Sequence, residues 1–285
     1  MAIDYDRLMK IEIPDVEQSF TRRDTMLYAL GLGFGADPMD ARQLKFVYED
    51  GLQAVPTWGV MLAYAGFWIR ELDTGIDWVK VVHGEQDVVL HRPLPVEGTV
   101  IGKTRVVDIF DKGEGKGAIV LSRRDVFDKA TGDHLASMDN MTFCRGDGGF
   151  GGTAVAPPPP PPIPDRTPDA VISLQTLPQA ALIYRLSGDY NPLHADPGIA
   201  AKAGFPRPIL HGLATYGVAC HAVLQACCDH DPARMASIGV RFSSPVYPGE
   251  TIVTEIYRDG DAVQFRSRVA ERDVIVLQNG RARLR

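Results

Sequence analysis

Residues 184–212 read YRLSGDYNPLHADPGIAAKAGFPRPILHG, and the stretch that follows, from Gly212 to Cys228, is apolar on most sides. A helix with Leu213, Tyr216, Val218, Cys220, Val223, Leu224 and Cys227 spread round it has to be buried nearly all round. Before it, Asp189 and His194 flank Asn191 and Pro192, so the backbone there turns rather than coils. His211-Gly212 stands where the long helix begins. A carboxylate, an imidazole, an amide and free backbone N–H groups in so short a stretch are the ingredients of an active site.

Outward from this stretch the chain reads as a duplication. Helix candidate TRRDTMLYALGLG (21–33) and then PTWGVMLAYAGFWIREL (56–72) parallel TLPQAALIYRLSGD (176–189) and ILHGLATYGVACHAVL (209–224). The turn-and-strand segments HRPLPVEGTVIG (91–102) and SSPVYPGETIVT (243–254) correspond in the same way. Each half continues with short strands rich in β-branched residues and split by Gly/Asp turns, the pattern of antiparallel sheet. The expected fold is therefore α+β, with an antiparallel sheet curled round a buried long helix in each half. Thr176-Leu177-Pro178-Gln179 matches the S/T-x-x-E/Q pattern of a capping box.

Six consecutive prolines at 157–162 favour a stiff polyproline II spacer. They divide the chain into a first half, 1–152, a Pro-rich linker, 153–168, and a second half, 169–285. The glycine-rich RGDGGFGG (145–152) lacks the Lys-Ser/Thr of a phosphate loop and opens no helix. The duplication is unequal where chemistry would occur. With Tyr28 and Tyr184 taken as equivalent, Asp189 falls on Gly33 and His194 on Pro38. One active site per chain is expected, in the second half.

Composition narrows the function classes. Among 285 residues, 45% are apolar and 23% charged, as in soluble globular proteins, and the net charge of −6 offers no broad basic surface to nucleic acid. No apolar run approaches the ~20 residues of a membrane span. MAIDYDRLMK lacks the core of a secretion signal and RARLR is not a peroxisomal SKL-type address, so a cytoplasmic protein is expected. Four cysteines form no disulfide or zinc pattern. Cys220, Cys227 and Cys228 read as small buried side chains in a reducing compartment, and a Cys220/His221/Cys227/His230 zinc cluster is rejected.

Turn chemistry alone would let Asp189 and Asn191 serve only their own backbone. The combination with His211-Gly212 and the unequal duplication points to catalysis instead. From Tyr184 to Ala200 the run is an aromatic, Leu-Ser-Gly-Asp, one residue, Asn-Pro-Leu-His, five residues and Ala, followed by ILHGL at 209–213. This resembles the (R)-specific type-2 enoyl-CoA hydratases of the MaoC-like family. LKFVYE (44–49), VPTWGV (55–60), VHGEQDVVLHRPLP (82–95) and FCRGDGGFGG (143–152) resemble the first half of its two-domain members. The resemblance covers nearly the whole chain apart from the linker, and it implies a double hot-dog fold with a degenerate first half that leaves room for a bulky acyl chain.

It further implies a reversible hydro-lyase acting on an acyl-CoA thioester, with no metal or redox cofactor and with nucleic acid and membrane excluded as partners. Hydration places OH on C3 and H on C2 of a trans-2-enoyl thioester while charge builds on the thioester oxygen. Asp189 and His194 are expected to hold the water and move its proton, with Asn191 orienting them and the Gly212 N–H, at a helix start, meeting the oxyanion. His211 reads either as a contact to the pantetheine arm or as a packed residue near the helix cap, and Lys202 and Arg207 as candidates for the CoA phosphates. Neighbouring readings are a dehydratase of carrier-bound acyl chains, a hot-dog thioesterase and a non-catalytic acyl-binding module. A homodimer is a further expectation.

Overall fold

The computed structural model describes residues 3–151 and 160–285, so the first three of the six consecutive prolines lie outside the described residues. Ten strands form one antiparallel sheet. The first half supplies β1 (Val16–Phe20), β2 (Val81–Leu90), β3 (Gly98–Asp111), β4 (Ala118–Asp128) and β5 (His134–Cys144). The second half supplies β6 (Ala170–Gln175), β7 (Met235–Phe242), β8 (Thr251–Asp259), β9 (Ala262–Val269) and β10 (Val274–Leu284). Their order is β1-β3-β4-β5-β2-β7-β10-β9-β8-β6. Exchanging each strand of one half for its counterpart gives the order of the other half read backwards, so the duplication is visible in the topology. The seam is β2 against β7, with Glu85 opposite Arg241 and Val89 opposite Ser237.

In the second half the sheet wraps the central helix, Gly212–Cys227, and every residue from Ala214 to Leu224 is buried. Each fully buried Val, Leu or aromatic side chain there contributes on the order of 1.5–3 kcal/mol by burial. The Tyr216 hydroxyl satisfies its polar end by donating to the Ile238 carbonyl at 2.8 Å.

The first half departs from the expected pattern. Residues 56–72 do not form one long helix. Pro56–Val60 is a 3-10 turn, the chain then bends through Ala63 at φ +48°, and only Trp68–Glu71 returns to α-helix. A left-handed residue stops helical hydrogen bonding whatever the polarity of its neighbours. The Ala63 N–H is met by the Gln18 side-chain oxygen instead. Trp58 and Trp68 consequently serve different cores. Trp58 packs on Tyr28 (5.0 Å between rings) and Phe20 in the core shared with the central helix, whereas Trp68 joins Ile69, Ile109 and Val120 in a second cluster.

The capping box expected at Thr176 is also absent. Its hydroxyl donates to the Glu250 carbonyl and accepts from Gly249 N–H, and the short helix Ala180–Tyr184 starts after Gln179 without a side-chain cap. A box of this kind does form at Thr21, where the Asp24 carboxylate accepts from both the backbone and the hydroxyl of Thr21. The described end of the proline segment lies along β9, with Gln264 donating to the carbonyls of Pro161 and Pro162. No described helix is long and apolar enough to cross a membrane.

Candidate active site

The loop before the central helix is built from successive local hydrogen bonds. A 3-10 turn, Arg185–Ser187, ends at Gly188 with φ +129°, a conformation that only glycine adopts without strain. Asp189 then accepts from the Asn191 N–H at 3.2 Å, and the Asn191 side-chain oxygen caps the turn Pro192–His194 through the Leu193 N–H at 3.0 Å. The turn chemistry expected of these residues is therefore present. It leaves the other Asp189 oxygen and the Asn191 amide N–H groups uncommitted.

His194 Nδ1 lies 2.8 Å from the Ile209 carbonyl. A carbonyl only accepts, so Nδ1 carries the hydrogen and Nε2 presents its lone pair. His211, the residue before the central helix, bonds the Asp189 backbone carbonyl through Nε2 at 3.1 Å, and its Nδ1 is buried with no partner among the described residues. The two rings stack at 3.7 Å and 28°. Burial lowers the pKa of His194, opposed by the Ile209 carbonyl and the Asp189 charge. Burial, reinforced by neighbouring His194, lowers His211 to about 4. Both imidazoles are neutral at neutral pH. Beneath them Tyr184 is fully buried, its ring 4.9 Å from His211 and its hydroxyl on the Met61 sulfur at 3.4 Å.

One ligand atom each from Asp189, His194 and His211 falls within 4.8 Å of the others, the spacing of a possible ion site. The two rings, however, are 3.7 Å apart between centroids and only 28° from parallel, so their planes converge well beyond metal-bonding distance of both nitrogens. One imidazole would have to turn out of the stack before both could bind the same ion. The arrangement suits proton transfer better than ligation. The rejected second-half cluster is likewise unsuited to zinc, since burial holds the Cys220 thiol near 12 and His221 Nδ1 is used on the Leu32 carbonyl.

Gly212 is the first residue of the 16-residue central helix and is exposed, so its N–H stands at the positive end of the helix dipole. A Cβ there would lie 3.3 Å from the Phe242 ring. The imidazole of His83 from β2 also packs on Phe242, at 4.7 Å between rings. Burial lowers His83 to about 4, opposed by the Glu85 carbonyl and the Asp189 charge. The first half thus contributes directly to the site through His83, although it carries no counterpart of Asp189 or His194. Neither His83 nor Phe242 was singled out from the sequence as a site residue. The only signal was the VHGEQDVV stretch, and its meeting with Phe242 is set by the strand seam rather than by any local pattern.

Lys202 ends the short helix Pro197–Lys202 and is exposed; Arg207 is exposed with its guanidinium 5.0 Å over the Tyr247 ring. No hydrogen bond ties either to Asp189, His194 or Gly212 among the described residues. The structure therefore gathers Asp189, Asn191, His194, His211 and Gly212 and leaves the two cations on the surface.

Fold and loop together define a double hot-dog protein in which a carboxylate and two imidazoles meet at the start of the second-half helix. Comparison with known proteins agrees. Residues 161–279 match the MaoC like domain, and residues 18–146 match the MFE-2 hydratase 2 N-terminal domain. The chain is 41% identical over 288 residues to "Enoyl-CoA hydratase ChsH3" of Mycobacterium tuberculosis, covering 98% of each. It is 43% identical over 280 residues to "3-hydroxyacyl-thioester dehydratase Y" of the same organism, covering 96% of this chain and 94% of that one. A crystal structure of a MaoC-like dehydratase from Phytophthora capsici superposes with a TM-score of 0.88 at 33% identity, over 99% and 98% of the two chains. The chain belongs to the MaoC-like hydro-lyases, in the two-domain form.

Proposed function

We propose that the protein adds water reversibly across the double bond of trans-2-enoyl-CoA thioesters to give (3R)-3-hydroxyacyl-CoA. The observation that carries this reading is the fixed tautomer of His194. Its Nδ1–H is held by Ile209, so a neutral Nε2 acceptor stands beside the Asp189 carboxylate at the mouth of the central helix. Two proton acceptors hold one water. As its oxygen bonds to C3, a proton passes to the dyad, and the dyad returns a proton to C2, so the protein ends as it began. Charge that builds on the thioester oxygen is met by Gly212 N–H, a kind of donor worth about 2.7–4 kcal/mol in the transition state. The Asn191 amide N–H groups orient the water or the dyad. Lys202 and Arg207 are the cations assigned to the CoA phosphates, and His211 supports the dyad from behind.

The reading includes no metal and no redox cofactor. It also includes a homodimer and a cytoplasmic location, the latter supported by four free, buried cysteines. Loss of the enoyl-thioester absorbance on mixing with enoyl-CoAs, with an (R) product identified by a stereospecific dehydrogenase, is the expected result. Asp189→Asn and His194→Gln should each lower kcat by at least ~10²-fold, and chelators should leave it unchanged. A folded Asp189→Asn variant with full activity would overturn the assignment. Turnover only of carrier-protein thioesters would replace CoA as the substrate handle.

A further inference from the structure

We propose that the acyl tail lies in a polar groove on the inner face of the first half, and that Arg124 at its end receives a carboxylate. The favoured substrates are then enoyl-CoAs whose acyl chain terminates in a carboxylate group. This rests on the thioester-hydrating reading above.

The groove follows from strand register. Along β4 the alternate residues Ala118, Val120, Ser122, Arg124 and Val126 are the buried ones and face inward. A core that only had to be filled would be apolar at each. Instead Ser122 stands opposite Asn140 of β5, and Arg124 opposite Thr104 of β3. Asn140 in turn faces Gln86 of β2, and Thr142 faces His83, the residue against Phe242 at the start of the central helix. These polar positions lie between the two apolar clusters, with Val100, Val126 and Met138 on one side and Ile109, Val120 and Cys144 on the other. Asn140 and Thr142 are only partly buried although they share the inward side of the strand pairing, and the Thr142 hydroxyl donates to the Asn140 side-chain oxygen at 3.1 Å.

Arg124 is 9% exposed. One of its nitrogens donates to the Val60 carbonyl at 2.6 Å, the ring of half-exposed Tyr64 covers its face at 5.3 Å, and its Nε is buried with no partner among the described residues. No described carboxylate pairs with it, and residues 1–2 and 152–159 contain no Asp or Glu. A buried guanidinium without an anion is costly, and its planar fork is shaped for a carboxylate. Arg124 lies four residues along β4 from the row of His83 and Thr142, about 13 Å at the usual rise per residue. Tyr64, whose ring covers Arg124, is also acted on by the Asp189 charge.

The test uses the full chain and two matched series of CoA thioesters, one ending in methyl and one in carboxylate, across several lengths. Saturated thioesters report binding by calorimetry and enoyl thioesters report turnover. At some length the carboxylate-ended compound should be favoured by about tenfold or more, the scale expected of a site built to pair a polar group. Arg124→Met should erase that preference while changing the methyl-ended compound less than about threefold. If Arg124→Met does not fold, Arg124→Lys, which keeps the charge without the fork, takes its place. Equal handling of both series at every length, or parallel loss on both in the variant, overturns the subsite. Selective binding of carboxylate-ended thioesters with no hydration of any would keep the subsite and reject the hydratase reading.

Discussion

The imidazole of His211 stacks on that of His194 at 3.7 Å while its Nε2–H holds the backbone carbonyl of Asp189 at 3.1 Å. One side chain therefore touches both Asp189 and His194, one by a hydrogen bond and one by ring contact. His211→Phe keeps an aromatic ring against His194 and removes the bond to Asp189. One hydrogen bond of about 1 kcal/mol translates to a loss of roughly five- to tenfold in kcat, with KM little changed. His211→Ala, which removes both supports, should cost more. Steady-state kinetics of the two variants check this: full activity in His211→Phe would leave the hydrogen bond without a role, and equal losses in both would leave the ring contact without one.

The pH dependence of activity follows from the same burial. His194 has to be neutral to accept a proton, and its pKa lies below the ordinary 6.5 because burial penalises the imidazolium. The acid limb of kcat/KM should consequently fall below pH 6.5, and activity should be flat from there to neutrality. A limb centred at or above pH 6.5 would show that His194 is not the group titrating.

His221 gives a stability prediction that is independent of catalysis. It is fully buried, stacks on Phe34 at 3.7 Å, uses Nδ1 on the Leu32 carbonyl and is lowered to about 4 by burial. Its native pKa lies below the unfolded value of 6.5, so the unfolded chain binds more protons in between. Stability is fully present above pH 6.5 and is lost as pH falls towards 4, by up to about 3 kcal/mol. His221→Leu should show a smaller drop in Tm between pH 6.5 and 4.5 than the parent protein. Identical pH slopes would rule His221 out as a source of acid lability.

What could be read from the residues depended on how local the cause was. The DYNPLH turn and the burial of the Gly212 helix are set by neighbours in sequence, and both stand in the structure. Residues 56–72 were misread as a long helix because an apolar run bears the same composition whether it coils or bends. Its fate is decided at Ala63, whose N–H is captured by Gln18 from the distant strand β1. Thr176 likewise had the right neighbours for a capping box and lost its hydroxyl to the carbonyl of Glu250, in the turn just before β8 and far along the chain. His83, Phe242 and Arg124 take their meaning from register across the ten-stranded sheet, which no single segment encodes.

The backbone donor assigned to the oxyanion can be tested because of where Gly212 sits. It is the first residue of the helix, a position where proline is tolerated since that N–H has no partner within the helix. The preceding residue, His211, already has φ −56° and ψ 135°, the extended conformation that a following proline requires. Gly212→Pro therefore deletes the donor and leaves the helix start in place. Any side chain there also crowds Phe242, whose ring would be 3.3 Å from the new Cβ. Gly212→Ala is the matching control, with the Cβ and with the N–H retained. The alanine variant should show a modest rise in KM from the displaced Phe242. The proline variant should fall a further ~10²- to 10³-fold in kcat, the size found for removal of one oxyanion donor. Equal activity in the two variants would mean that the developing charge is stabilised by another group, and the helix start would retain only its role in placing His211.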